Sequence, residues 1–330
     1  MGDGCIPPVF DRFDRHLNDN GCVECLRPLN NRASQGQYPP GSTFKVPMAV
    51  AALESNTMSP SSSVLCTGGY QFGKRVYHDW KATGHGYVDL HKALVHSCDV
   101  YFYTIGQRMG IDMMAEYATD FGLGHETGIE LPSERVGSIP STAWKLKVKK
   151  EAWLPGETIS AAIGQGYVTV TPLQMASMIG TVANDGVSYR PRLVQAIMDR
   201  TTGNLQEMPA VPRGKAHAKP ETFRIIKEAL AAVVTEGTAT RAKSVLVTIG
   251  GKTGTAQVMS FSADEIYKSC EARPIHMRHH GWFVAWAPWD KPEITVAVLA
   301  QHSCHGNPGA APIVRDIVEA YFKKYHPEVI

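Results

Sequence analysis

At 330 residues with 43% hydrophobic content, the chain can bury a large core, which excludes disorder and leaves room for one large domain or two smaller ones. Thirty-three basic against 31 acidic residues give a formal net charge of +2 with no long run of one sign, so charge offers no basis for nucleic-acid binding. The longest apolar runs, such as VPMAVAAL and ITVAVLA, fall well short of the ~20 residues a spanning helix needs, and the opening MGDGCIPP has no apolar leader.

In chain order, residues 1–40 are rich in Pro, Asn, Asp and Gly and read as an irregular lead-in. Within it Cys22 and Cys25 could bind a metal or close a disulfide, but no second pair matches them, so a role confined to the lead-in is expected. From Ser42 to Leu53 the apolar spacing predicts a mostly buried helix. Residues 56–90 read as loops and short elements. Helical patterns return at 91–120, at 171–185 with Pro172 at a first helical position, and at 221–235. The last quarter changes character. VLVTIGGKTGTAQV, GWFVAWAP and ITVAVLAQ are three β-rich runs, followed by the helical AAPIVRDIVEAYFKKY. Together these predict an α+β chain with an antiparallel sheet packed against helices. Seven cysteines form no dense framework, and the odd number leaves at least one thiol free or bound to something else.

The stretch QYPPGSTFKVPM places Ser42 and Lys45 three apart at a helix start, where both can share a face. Serine becomes a nucleophile when a base takes its proton, and lysine can be that base only when burial or nearby cations lower its pKa. Phe44, Val46 and Pro47 suit such shielding, and the free amides of a first helical turn favour an oxyanion beside Ser42. Taken singly, an S-x-x-K spacing is expected by chance and reads as a helix start with an exposed lysine. Two later motifs change its weight. HSCD offers Ser97 and Asp99, and GGKTGTAQV offers Lys252, Thr253, Gly254 and Thr255 on the first late strand. The order S-x-x-K, S-x-[ND], K-T-G, with gaps of about 55 and about 155 residues, is the signature of penicillin-recognising serine enzymes.

On these motifs, and on the segments NNRASQGQYPPGSTFK, HDWKATGHG, SCDVYFY, FGLGHETGIELPSE, IGQGYVTVTPLQM and FVAWAPWDKPEITVAV, nearly the whole chain resembles the transpeptidase domain of class B penicillin-binding proteins, most of all the elongation-type penicillin-binding protein 2 group. The resemblance implies a penicillin-recognising, β-lactamase-like fold: an antiparallel sheet flanked by helices, with an inserted mainly helical subdomain and the active site between them. It divides the chain into a lead-in, residues 1–30, and a transpeptidase domain, residues 31–330. It also implies a cytoplasmic tail, a membrane anchor and a pedestal domain ahead of this chain, hence a periplasmic domain of an inner-membrane-anchored bacterial protein. The implied substrate is a peptidoglycan stem pentapeptide ending in D-alanyl-D-alanine, and β-lactams would act as its mimics. A membrane glycosyltransferase and elongation scaffold proteins would be partners through segments absent here.

By the same resemblance Ser42 would be the nucleophile and Lys45 its base, Ser97 would relay a proton to the leaving amine, and Asp99 would orient Lys45. Many family members carry Asn where this chain has Asp99. Lys252 would supply positive potential near the substrate carboxylate, Thr253 and Thr255 would bind that carboxylate, and Gly254 would permit close approach. The oxyanion hole would be the backbone N–H groups of Ser42 and Thr255. Family members often have Pro directly after the motif lysine. Here Val46 intervenes before Pro47, which predicts a small local bend without loss of chemistry. A carboxypeptidase or β-lactamase on the same fold would need a residue that activates water, and no clear deacylation motif is present. A non-catalytic β-lactam-sensing domain would acylate but lack an acceptor site.

Cys66, Asp79, His85 and Cys98 mix two thiols, a carboxylate and an imidazole, a donor set that suits tetrahedral Zn²⁺ although the wide spacing is not that of a zinc finger. The resemblance implies a metal site here, with Asp where this chain has Cys66. A structural zinc would pin the Ser97 loop against the 79–85 segment. A Cys66–Cys98 disulfide and unpaired buried thiols are the alternatives, and His78 and His96 compete as ligands. His276, His279 and His280 read as a solvated or partly packed loop. Trp282 and Trp286 read as core or cleft packing, and Tyr167 and Thr169 are candidates for lining the cleft.

Overall fold

The structure, a computed structural model, describes residues 30–258 and 268–327. Cys22, Cys25 and the lead-in expected over residues 1–30 lie almost wholly outside the described residues. In chain order the elements are α1 (Arg32–Gln35), a 3₁₀ turn (Gly41–Phe44), α2 (Lys45–Glu54), β1 (Val64–Cys66), β2 (Gly69–Phe72), β3 (Arg75–His78) and β4 (Gly86–Val88). Then follow α3 (Leu90–Val95), α4 (Asp99–Met109), α5 (Ile111–Asp120), α6 (Thr142–Lys149), α7 (Pro155–Ala162) and α8 (Pro172–Ala183). Short strands β5 (Val187–Tyr189), β6 (Ala196–Met198), β7 (Leu205–Glu207) and β8 (Pro212–Lys215) lead to α9 (Pro220–Thr235). The chain ends in β9 (Gly250–Ala256), β10 (His280–Ala287), β11 (Ile294–Ala300), α10 (Gly306–Gly309) and α11 (Ala311–Tyr325).

The three late runs form one antiparallel sheet in the order β11-β10-β9. Trp282 opposes Gly254 and Leu299, and Trp286 opposes Gly250 and Thr295. β10 is buried on both faces because helices cover it, and both tryptophans are fully enclosed. Their indole N–H groups find acceptors, Trp282 on Pro39 O at 3.0 Å and Trp286 on Trp289 O at 3.0 Å, as a buried indole requires. The first of these bonds ties the central strand to the approach of the Ser42 turn. α8 and α11 pack on β10 and β11, while α9 packs on β9. Pro172 opens α8 behind a reciprocal cap: Thr171 Oγ1 accepts from Gln174 N, and Gln174 Oε1 accepts from Thr171 N.

The expected helix over 91–120 is three helices. Breaks fall at Ser97–Cys98 and at Gly110, so the second motif lies on a connection and on the first turn of α4 instead of inside a long helix. The segment 56–90 holds two antiparallel pairs, β1 with β4 and β2 with β3. Together α2, α3, α4, α5 and α7 form the helical part beside the sheet.

Cys270, in the β9–β10 connection, is joined to Cys304, after β11, with Cα atoms 5.7 Å apart across a sequence separation of 34. Cysteine spacing alone did not reveal this pairing. Closing a loop of that length stabilises the fold by about 2–4 kcal/mol, largely by restricting the unfolded chain. A Cys304→Ser variant is expected to lose about that much in denaturant titration, with the wild type in a dithiol reductant matching the variant.

Candidate active site

Ser42 is the second residue of the 3₁₀ turn that runs straight into α2. Pro39 and Pro40 stiffen the approach, and Thr43 locks the turn by donating from its hydroxyl to Pro40 O at 2.8 Å. Ser42 stays partly accessible while Phe44 and Lys45 are buried. Pro47 is the third residue of α2, in the first turn, where a missing N–H costs least.

Lys45 is completely enclosed, yet its ammonium has three acceptors: Asp99 Oδ1 at 2.6 Å, Ser97 O at 2.9 Å and Ser97 Oγ at 3.3 Å. All three come from the second motif. Ser97 reaches them because its backbone takes φ +55, a left-handed conformation that costs a non-glycine residue about 1 kcal/mol and is held here by its neighbours. Asp99 opens α4, where a carboxylate also faces the helix N-terminus favourably. Its Oδ2 accepts from Trp80 N at 3.1 Å. Burial raises the Asp99 carboxyl above the usual carboxylate range, Lys45 opposes that rise, and Asp79 adds to it.

The third motif lies on β9, whose open edge faces the Ser42 turn. Gly41, at φ +55, sits so close that a Cβ there would collide with Thr255 O. A Cβ on Gly254 would stand 2.8 Å from Pro40 O and 2.9 Å from Thr43 Cγ2. Lys252 is fully buried, and its side chain reaches Thr253 O at 3.3 Å. Burial, reinforced by the Lys45 charge and opposed by Asp99, pushes its pKa well below that of an ordinary lysine. Ser42, Lys45, Ser97, Asp99, Lys252, Thr253, Gly254 and Thr255 are thus brought into one locality from three parts of the chain.

Two contacts were not legible in the motifs. Thr238, just beyond α9, shares a hydroxyl hydrogen bond of 2.6 Å with Thr253 and donates its N–H to Val95 O at 3.2 Å, joining the ends of α9 and α3 to β9. Gln165 donates from its amide to Thr255 O at 3.0 Å. Tyr167 and Thr169, the candidates for lining the cleft, are engaged in other contacts. Tyr167 packs at a tilt against Trp144 and Trp153 beneath Lys145 and Lys149, and Thr169 exchanges backbone bonds with Ser138. His276 is exposed and His279 half-buried in the connection, as a partly packed loop would have them, whereas His280 opens β10 opposite Ala256 and is not in the loop.

Behind the second motif, Cys66, Asp79, His85 and Cys98 present ligand atoms within 4.8 Å of one another. β1 carries Cys66, Asp79 follows β3, His85 precedes β4 and Cys98 precedes α4. Cys66 and Cys98 are both free thiols, which removes the disulfide alternative. His96 stacks on His85 from outside the cluster, and His78 is not part of it. Asp79 Oδ2 is 3.5 Å from Cys66 Sγ and 3.4 Å from Cys98 Sγ, while His85 Nδ1 is 3.6 Å from Cys66 Sγ and 3.4 Å from Asp79 Oδ1. Tetrahedral zinc with bonds of about 2.0–2.3 Å sets ligand atoms roughly 3.3–3.8 Å apart; these four separations match that, and two thiols, an imidazole and a carboxylate are donors that zinc takes, although the full cluster extends to 4.8 Å. Burial and the Asp79 carboxylate push the Cys98 thiol pKa up.

The same Asp79 oxygen accepts from Asp99 N at 2.8 Å and Val100 N at 3.2 Å, so the cluster caps the helix that presents Asp99. Asp79→Ala would strand those amides, at about 1–3 kcal/mol for each buried group left unsatisfied. The expected outcome is a lower melting temperature together with slower reaction at Ser42, read in one thermal scan and one labelling time course.

A family model described as the penicillin binding protein transpeptidase domain matches residues 11–319. The peptidoglycan D,D-transpeptidase MrdA of Haemophilus influenzae is 36% identical over 322 residues, covering 96% of this chain and 48% of that protein. The chain therefore spans about half the length of the curated relatives it matches. Among solved structures, Pseudomonas aeruginosa PBP2 in complex with WCK 5153 superposes with a TM-score of 0.78 at 33% identity, over 91% of this chain and 64% of that one. Helicobacter pylori PBP2 in its complex with MreC gives 0.79 at 28% identity, over 91% and 52%.

Proposed function

The chain belongs to the penicillin-binding protein transpeptidase-domain family, and from that premise we propose that it is the catalytic domain, from residue 31 onward, of an elongation-type peptidoglycan D,D-transpeptidase. The observation that carries this reading is the buried Lys45, held by Ser97 and Asp99 three residues after a partly accessible Ser42.

Ser42 Oγ attacks the carbonyl between the last two D-alanines of a donor stem, with Lys45 as the general base for the hydroxyl proton. The negative charge that develops on the carbonyl oxygen meets the N–H groups of Ser42 and Thr255, where the loss of one donor costs about 3 kcal/mol of barrier. As the tetrahedral centre collapses, Ser97 passes a proton to the amine and D-alanine leaves. An amine from a neighbouring stem then attacks the ester, gives up its proton and restores Ser42. Thr253 and Thr255 hold the terminal carboxylate in the positive potential of Lys252, and Gly254 leaves room for the Ser42 turn against β9. A β-lactam enters by the first step and stays on Ser42. The acyl transfer itself needs no cofactor.

Cys66, Asp79, His85 and Cys98 would hold a structural zinc, whose part is to fix the two thiols against Asp79. The Cys270–Cys304 disulfide suits an oxidising compartment such as the periplasm. A scaffold partner and a membrane glycosyltransferase would engage parts of the protein outside this chain.

Incubation with a fluorescent penicillin, followed by intact mass, tests the reading. A stable adduct is expected on the wild type and none on Ser42→Ala; label that disappears within seconds would mark a hydrolase instead. Zinc content is expected to fall in Cys98→Ser, and an unchanged content removes Cys98 from the metal site. Because the Lys252 pKa is lowered by burial and by Lys45, an arriving carboxylate raises it again, so binding takes up protons between the two values. Calorimetry of a β-lactam in buffers of different ionisation enthalpy should show this uptake in Ser42→Ala and lose it when Lys252→Met is added.

A further inference from the structure

We propose that Gln165 is a positioning residue that sets the gap between the Ser42 turn and the Thr255 edge of β9, and with it the aim of the Thr255 N–H; this rests on the acyl-transfer reading above. In the antiparallel pairing Thr255 stands opposite Gly281, but its carbonyl is taken by Gln165 Nε2 at 3.0 Å. That carbonyl therefore points away from β10. In an antiparallel ladder the N–H and C=O of one residue point the same way, so the Thr255 N–H also faces the open edge and the Ser42 turn.

Gln165 belongs to a short segment wedged between the two motifs. Its neighbour Gly164 accepts from Gly41 N at 3.0 Å, and a Cβ on Gly164 would collide with Gly41 O. Gln165 N is itself fixed on Ser160 O at 3.0 Å, in the last turn of α7. One residue thus anchors the turn through the backbone beside it and anchors β9 through its side chain. Remove the side-chain amide, and the Thr255 carbonyl keeps only the close contact with Gly41, with nothing to hold the end of an edge strand in register against the nucleophile. A donor displaced by about 1 Å can cost on the order of 100-fold in rate.

The test separates binding from chemistry by stopped-flow acylation with a chromogenic penicillin, using the wild type, Gln165→Ala and Gln165→Glu. Gln165→Ala is expected to slow the acylation step roughly 10- to 100-fold while the dissociation constant of the preceding complex stays within about threefold. In Gln165→Glu a protonated carboxyl can donate to Thr255 O as the amide does, and an ionised one cannot. Its rate relative to the wild type should therefore climb as pH falls through the new carboxyl's pKa, a signature that a packing role would not produce. If Gln165→Ala fails to fold, that pH-dependent ratio decides: a rise supports the proposal and a flat ratio overturns it. Wild-type rates in both variants likewise overturn it. A wild type that never acylates overturns the acyl-transfer reading itself and this proposal with it.

Discussion

A lysine with no exposed surface sits at the centre of this molecule, and the ion pair of Lys45 with Asp99 at 2.6 Å is what makes that burial possible. An uncompensated buried charge costs several kcal/mol, so Asp99 cannot move without stranding Lys45. The requirement passes outward. Asp99 is fixed by the first turn of α4, α4 is capped by Asp79, and Asp79 is shared with two thiols and an imidazole. The cluster behind the second motif is thereby linked, through the start of α4 and Asp99, to the position of the Lys45 ammonium. The strained φ of Ser97 fits the same logic, because a relaxed backbone there would turn its carbonyl away from the ammonium.

On the other side of Ser42 the constraint is steric. The 3₁₀ turn and β9 approach until backbone meets backbone, which is possible only because residues 41 and 254 lack side chains. Among the described residues, close approach leaves the edge strand's polar groups facing Ser42 instead of a further strand, and such an edge is what the oxyanion of the proposed acyl transfer would need. The rigid side is the sheet, with Trp282 and Trp286 enclosed and Trp282 tethered to Pro39, so the turn is referenced to the core and not to a loop.

Much of this was legible in the sequence because the chemistry demands residue types at set places. Serine, lysine, a second serine with Asp99, and Lys252 through Thr255 could be found by order and gap, and the three late strands by their β-rich runs. What stayed hidden was carried by contacts across long separations. Gln165 acts on a backbone carbonyl 90 residues away, and a glutamine in a loop announces nothing by itself. Thr238 likewise acts through Thr253. Cys270 and Cys304 follow no spacing rule, since their pairing is set by where two connections of the sheet happen to meet. The predicted helix over 91–120 was divided because apolar periodicity continues across Ser97 and Gly110 while the backbone does not.

Three buried lysines show how one residue type serves different ends. Lys145 has Glu157 at 2.6 Å, a hydrogen bond that raises its pKa, and beneath it lie Trp153 and Tyr167; its charge is matched and its place is structural. Lys45 and Lys252 instead lie close enough to affect each other and have the single carboxylate of Asp99 between them. Asp79 lies beyond Asp99, against the first amides of α4 and the two thiols, and its charge acts on Asp99 and is not among those that shift Lys252. Two potential cations against one available anion leave the site short of negative charge, and the group that bears the deficit is Lys252, whose proton is held weakly. A ligand carboxylate delivered to β9 corrects that imbalance. On the proposed acyl-transfer reading, an anionic chain end would complete the charge balance, and recognition of the substrate terminus and activation of Ser42 would share one coupled set of charges.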